Sequence, residues 1–122
     1  PFTGQIAVLM NRGSASASEI ACAALKDWRD AVLVGQKSMG AVLASVYGPL
    51  PDGFELQYPV QDYITIKGER LEGHPRVPDL DVASDPGAPD DVPQKALDFL
   101  RKRVALHSNT QVSTTGHESP GG

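Results

Sequence analysis

The chain has 122 residues and a mass of 12.9 kDa, the size of one domain or of a piece of one. Hydrophobic residues make up 40% and charged residues 21%, so the composition excludes wholesale disorder. A net charge of −4 without a basic face argues against nucleic-acid or anionic-membrane binding, and the apolar runs are too short to span a bilayer. The single cysteine excludes a disulfide framework and a cysteine-rich zinc site. With no start methionine or signal peptide, we expect the chain to be cut from something larger.

The first part of the chain combines two apolar strands with a helix. Residues 5–10 and 31–34 are continuous apolar runs, a pattern typical of parallel strands that are covered on both faces. Between these runs, apolar residues recur at helical spacing from about Ala17 to Trp28. The three segments together predict a βαβ unit with a right-handed crossover.

The middle of the chain changes to short strands separated by turns. Residues 41–47 and 54–60 predict two strands joined by a turn at 50–53. Residues 63–66 and 69–71 predict one more hairpin. We expect these strands to form a small antiparallel addition to the parallel layer.

The last third divides into a linker, a helix and a tail that follow the main domain of residues 1–83. Residues 84–91 are rich in Pro, Gly and Asp and predict a linker. A helix is predicted over 92–106, and residues 107–122 have the composition of a disordered tail. Asp91, with Gln94 three residues later, matches a helix-capping pattern. The apolar stripe predicted for this helix consists of Leu97, Leu100 and Val104.

The serine-rich run before the first helix has two interpretations. Ser16 and Glu19 fit a capping box, in which each side chain accepts from the backbone N–H of the other. The same position would also place the Ser16 hydroxyl beside free N–H groups at the positive end of the helix dipole. Such groups stabilise the oxyanion of an acyl-transfer intermediate, so the geometry permits a nucleophile without requiring one.

Five segments resemble the C-terminal-processing, or tail-specific, serine peptidases. The run NRGSASASEI at 11–20 is similar to the family's nucleophile segment, which follows a buried strand and opens a helix. The segments VGQKSMG at 34–40 and LPDG at 50–53 follow in the family's order. The last two, LEG at 71–73 and VPD at 77–79, are similar to the family's closing motif.

This resemblance covers residues 5–82 and implies an α/β fold, namely the C-terminal part of a ClpP/crotonase-like domain. It implies a serine peptidase that hydrolyses unstructured protein tails, with Ser16 as the nucleophile and the Ala17 N–H as half of the oxyanion hole. From the residues themselves we expect no cofactor and no metal ion. By family analogy we expect the protein to act outside the cytoplasm, with a cytoplasmic location as the alternative.

The chain departs from the family's best-known branch at the general base. Ala41 and Ser45 occupy the positions of the family's lysine base and of the glutamine that orients it, and alanine cannot accept a proton. The chain could belong to the tricorn-like branch, in which an upstream histidine is the base and Glu72 would support the site. It could instead be a degenerate homologue, or a buried Lys37 with a lowered pKa could substitute as the base.

Two other functions stay open at this point. A non-catalytic homologue would keep the fold and bind peptides or serve a structural role, using the groove between the βαβ unit and the hairpins. A crotonase-like enzyme acting on acyl thioesters would use backbone N–H groups without a serine nucleophile. His74 is expected to be a surface residue of a turn. The sequence fixes neither the oligomeric state nor the substrate.

Overall fold

The computed structural model describes residues 1–83, 87 and 89–113, with side chains described as far as residue 106. Its strands and helices in chain order are β1 (Ala7–Met10), α1 (Ala17–Arg29), β2 (Val32–Gly35), β3 (Ala44–Pro49), β4 (Glu55–Gln61), β5 (Leu80–Asp81) and α2 (Val92–Ser113). Half of the predicted linker, namely residues 84–86 and 88, and the tail beyond residue 113 lie outside the described residues.

A three-stranded parallel sheet in the order β1-β2-β5 forms the centre of the fold. Ala7 pairs with Val32 at one end of the β1-β2 register, and Met10 pairs with Gly35 at the other. The predicted βαβ unit is therefore confirmed. Strand β5 was not predicted, because two residues are too few to show a strand pattern; Leu80 pairs with Val34.

Strand β2 is buried on both faces, which explains its continuous apolar sequence. On one face, Leu33 packs with Met10 and with Cys22 of α1. On the other face, Val32 and Val34 pack against α2. The two helices therefore cover opposite sides of the same small sheet.

Helix α2 packs through a different stripe from the predicted one. The residues that it buries against the sheet are Val92 and Ala96, with Phe99 partly buried beside them. Leu97 and Val104, from the predicted stripe, are about half exposed. The spacing of the apolar residues in α2 was compatible with burial of either face. The small side chain of Ala96 suits close contact between the helix and the sheet.

Helix α2 begins at Val92, as predicted, but its capping and its end differ from the prediction. Asp90 provides the side-chain acceptor for the N–H of Val92, at 3.1 Å. The side chain of Gln94 donates to Asp98 in the next turn, at 3.0 Å, instead of reaching back to Asp91. The helix continues to Ser113, so residues 107–113 are helical and do not belong to a disordered tail.

Strands β3 and β4 form a separate antiparallel hairpin, as predicted, with a register shift between Ala44 and Ser45. A single 3₁₀ turn, Pro51–Gly53, joins the two strands. Every residue of β4 is exposed. The second predicted hairpin is reduced to one antiparallel bridge between Ile64 and Arg70.

Candidate functional site

The backbone turns sharply at Ser16, between β1 and α1. Ser16 has φ 56° and ψ −126°, which places a non-glycine residue in the left-handed half of the map. Its N–H donates to the carbonyl oxygen of Ala41 at 2.7 Å, and its own carbonyl accepts from Glu19 N–H at 2.9 Å. A strained residue of this kind costs about 1–3 kcal/mol and persists only where its surroundings fix it.

The predicted capping box between Ser16 and Glu19 is wrong. Ser16 is exposed, and its side chain makes no capping hydrogen bond. Glu19 is 1% exposed, and its carboxylate points away from the start of the helix into the protein. The local pattern was correct for a helix start, but donors distant in the sequence compete for the carboxylate.

Those donors all belong to the segment 38–41, which follows β2. The Glu19 carboxylate accepts hydrogen bonds from the Ser38 hydroxyl, from Gly40 N–H at 2.7 Å and from Ala41 N–H at 2.9 Å. Ser38 is itself buried, and its oxygen accepts from Arg76 N–H at 2.7 Å. Glu19 therefore joins the first turn of α1 to the segment that holds the N–H of Ser16.

Glu72 binds the next residues of the same segment. One of its carboxylate oxygens accepts from Val42 N–H at 2.8 Å and from Leu43 N–H at 3.2 Å. The backbone N–H of Gly73 donates to the Gly40 carbonyl at 2.9 Å. Segment 38–43 is thus the structural link between the serine turn and Glu72, and the sequence did not indicate it.

One backbone N–H group at the start of α1 has no hydrogen-bond acceptor among the described residues. The N–H groups of Ser18, Glu19 and Ile20 donate to carbonyls of the turn before them. In the described ranges, the N–H of Ala17 has no hydrogen-bond acceptor, and Ala17 is exposed. This free donor lies at the positive end of the helix, next to the Ser16 hydroxyl.

The positions considered for the general base and its support do not form a base in the part of the chain that the structure describes. Ala41 is exposed, and the hydroxyl of Ser45 accepts from the Gln57 side chain at 2.6 Å. Lys37 is exposed, which removes the burial on which its proposed role as a base depended. His74 is an exposed surface residue, as expected, and its Nδ1 lies 2.9 Å from the Glu72 carbonyl oxygen.

Two further groups secure α1 against the sheet. Burial alone would raise the pKa of Asp79, but hydrogen bonds from Lys26 and from the N–H of Leu33, at 2.8 Å, outweigh it and lower the pKa. Burial raises the pKa of the Cys22 thiol, and the charge of Glu19 raises it further. Cys22 is therefore a packing residue and not an activated thiolate.

An apolar cavity of about 130 Å³ lies between α1 and the loop around the Ile64–Arg70 bridge. Its lining includes Ile20, Ala24 and Trp28 from the helix. Within the described residues, no helix combines the length and the apolar character that crossing a membrane requires.

Comparisons with known proteins match this chain to a family. The model of peptidase family S41 matches residues 1–82. The "Probable CtpA-like serine protease" of Staphylococcus haemolyticus is 32% identical over 80 residues, which are 66% of this chain and 16% of that protein. Its counterpart in Staphylococcus aureus is 35% identical over 77 residues, which are 63% and 16% of the two chains.

Solved structures give the same result. The photosystem II D1 C-terminal processing protease aligns with a TM-score of 0.56 and 34% identity, covering 68% of this chain and 21% of that one. A lipoprotein from Streptococcus agalactiae aligns with a TM-score of 0.62 at 22% identity, covering 81% and 32%, and supports the fold alone. This chain spans about a sixth of the length of the two staphylococcal relatives. The chain belongs to peptidase family S41.

Proposed function

We propose that the protein containing this chain is a serine peptidase of the C-terminal-processing type, and that Ser16 is its nucleophile. One observation carries the proposal. Ser16 is exposed at a strained turn, its side chain is not used as a helix cap, and the N–H of Ala17 has no acceptor among the described residues. Strained serines at strand-to-helix turns present their hydroxyl to a substrate in other hydrolases.

The chemistry follows from the two adjacent groups. The Ser16 oxygen attacks the scissile carbonyl carbon while a base removes its proton, and the carbonyl oxygen becomes negatively charged. The free N–H of Ala17 donates to that oxygen, in the role of one of the two usual oxyanion donors. The leaving amine takes a proton, and water then hydrolyses the acyl-enzyme to release the product and restore Ser16.

The general base, in this proposal, lies outside these 122 residues. Alanine at position 41 and the exposure of Lys37 support this view, because neither residue supplies a buried amine. A histidine base with Glu72 as its support, as in the tricorn-like branch, fits best with the contact of the Glu72 carboxylate with segment 38–43. We therefore expect the 122-residue chain alone not to hydrolyse peptides.

Three finer points belong to the same proposal. We assign the parallel sheet and its helices to the ClpP/crotonase-like fold, on the support of the βαβ order. We propose unstructured protein C-termini as the substrate; the relative that processes the D1 C-terminus supports this. We propose that the protein acts outside the cytoplasm, and this proposal rests on family resemblance alone.

The test is the replacement of Ser16 by alanine in the whole protein, with cleavage of an unfolded polypeptide as the measurement. We expect cleavage to fall by at least about a thousandfold, since catalysis by the nucleophile is lost. The matched control is Ser18→Ala, two residues along α1, which should cleave at the wild-type rate. Because the Ser16 side chain makes no capping hydrogen bond, Ser16→Ala should change the free energy of unfolding by about 0.5 kcal/mol or less. Unchanged cleavage by Ser16→Ala would show that another residue is the nucleophile.

A peptide-binding homologue without activity is the second candidate, supported by the apolar cavity beside α1 and by alanine at position 41. Such a protein would bind an unfolded polypeptide but release it intact. Fluorescence of Trp28, which lines the cavity, would then change on binding in the wild type and in Ser16→Ala alike. Cleavage that depends on Ser16 excludes this candidate.

A further inference from the structure

Glu19 is a buried carboxylate that the peptidase chemistry described above does not use. It is 1% exposed, and among the described residues no cation lies within ion-pair distance of it. An isolated buried carboxylate is costly unless its oxygens are hydrogen-bonded. Glu19 meets this need through the donors of Ser38, Gly40 and Ala41.

The peptide units around Ala41 connect this carboxylate to the proposed nucleophile. The N–H of Ala41 donates to Glu19, and its carbonyl accepts the N–H of Ser16 at 2.7 Å. Two residues earlier in the segment, Met39 N–H donates to the Ser14 carbonyl at 2.9 Å. Segment 38–41 therefore holds the serine turn at two points, and Glu19 holds the segment between them.

The strained backbone of Ser16 requires a restraint, and the connection from Glu19 through segment 38–41 can supply it. A residue at φ 56° and ψ −126° relaxes unless its hydrogen bonds hold it there. The bond from Ser16 N–H to the Ala41 carbonyl is such a restraint, and it depends on the orientation of the segment that carries Ala41. Hydrogen bonds to a charged acceptor are about twice as strong as neutral ones, so Glu19 suits this task better than an amide would.

We infer that Glu19 is a positioning residue, whose buried carboxylate fixes segment 38–41 so that the Ala41 carbonyl holds Ser16 in its strained, exposed conformation. The inference rests on the proposed function for its importance to catalysis, since it assumes that Ser16 is the group to be positioned. Its structural part, the coupling of Glu19 to the Ser16 amide, does not depend on the reaction.

Hydrogen exchange of the whole protein, followed by mass spectrometry of peptides covering residues 14–20 and 38–43, tests the coupling. Glu19→Gln should speed exchange about tenfold in both peptides, the loss expected for one charge-assisted hydrogen bond. The matched control is Glu69→Gln, because Glu69 is an exposed carboxylate that accepts only from Arg76 among the described side chains. The control should leave both peptides unchanged. Faster exchange confined to residues 38–43 would overturn the inference.

A second variant covers the case in which Glu19→Gln fails to fold. Ser38→Ala removes one donor to Glu19 and leaves those of Gly40 and Ala41. It should give a smaller acceleration in the same two peptides. No change in the peptide of residues 14–20 would overturn the inference here too.

The rate at which a fluorophosphonate labels Ser16 links the coupling to reactivity. Glu19→Gln that folds with the wild-type circular dichroism spectrum should be labelled about tenfold more slowly than Glu69→Gln. An unchanged rate would overturn the positioning role. If wild-type Ser16 is not labelled at all, the proposed function fails, while the exchange measurement still decides whether Glu19 holds the serine turn.

Discussion

The βαβ unit with segment 38–43 and the β3–β4 hairpin are held in place by different kinds of contact. In the first region, buried side chains and a buried carboxylate hold the chain, so a strained residue such as Ser16 is maintained. In the second, the β4 residues are all exposed, and the strands contact mainly each other. An isolated hairpin is only marginally stable in water. The contrast indicates that buried contacts fix the chain most firmly in the region of Ser16, where the proposed chemistry would take place.

The largest expected effect comes from two glycines that have the same φ. Gly40, in segment 38–41, and Gly53, in the hairpin turn, both have φ +78°. A Cβ at Gly40 would lie 2.7 Å from the Pro75 ring, whereas a Cβ at Gly53 meets nothing within 4 Å. Gly40→Ala should lower the free energy of unfolding by about 4 kcal/mol, from strain and overpacking together. Gly53→Ala should lower it by about 1 kcal/mol, from strain alone.

Urea unfolding of the two variants measures both values. Because the backbone strain is common to both substitutions, their difference isolates the steric contact with Pro75. Equal losses in the two variants would mean that segment 38–41 is no better held than the hairpin turn.

A smaller effect is expected from two leucines. Leu33 is 1% exposed in the centre of β2, and Leu56 is 51% exposed on β4. Leu33→Ala should cost about 3 kcal/mol, the usual loss for a cavity in a packed core. Leu56→Ala should cost less than about 1 kcal/mol. The same urea measurement decides; a loss at Leu56 as large as that at Leu33 would show that the hairpin is packed against something.

The smallest effect is a pH dependence at Asp79. Its pKa is lowered in the folded state despite the opposing effect of burial, because Lys26 and the Leu33 N–H bind its charged form. The stabilisation is therefore present above the unfolded-state pKa and is lost as the pH falls through the folded-state pKa. Asp79→Asn should be less stable than the wild type at pH 7, and the difference should shrink toward pH 2.

The control for this prediction is Asp52→Asn in the exposed 3₁₀ turn. Its difference from the wild type should stay small at every pH in the series. A gap between Asp79→Asn and the wild type that persists unchanged to pH 2 would contradict the assignment of the stabilisation to the Asp79 charge.

The core was predictable from the sequence because its signal is local. The apolar runs of β1 and β2 and the helical spacing between them reflect burial on two faces, and each can be seen within a few residues. The stripe of α2 was not predictable in the same way. Two faces of that helix carry apolar residues, and only the position of the sheet selects Val92 and Ala96 over Leu97 and Val104.

The candidate site was predictable only in part. The motif singled out Ser16, and the structure places it at an exposed turn where its proposed role stays a prediction. Glu19 was taken for a cap because its partners, on segment 38–41, are about twenty residues away in the sequence. No local pattern reports such a contact, since it forms only when β2 brings that segment to the start of α1.

The most direct test of the central claim is to identify the serine that a fluorophosphonate modifies in the whole protein. Proteolytic digestion and fragmentation mass spectrometry separate Ser14, Ser16 and Ser18, which lie on one peptide. We predict a single adduct on Ser16, because its side chain makes no capping hydrogen bond and the next N–H, that of Ala17, has no acceptor among the described residues. An adduct on a different serine of a protein that cleaves polypeptides would contradict the account.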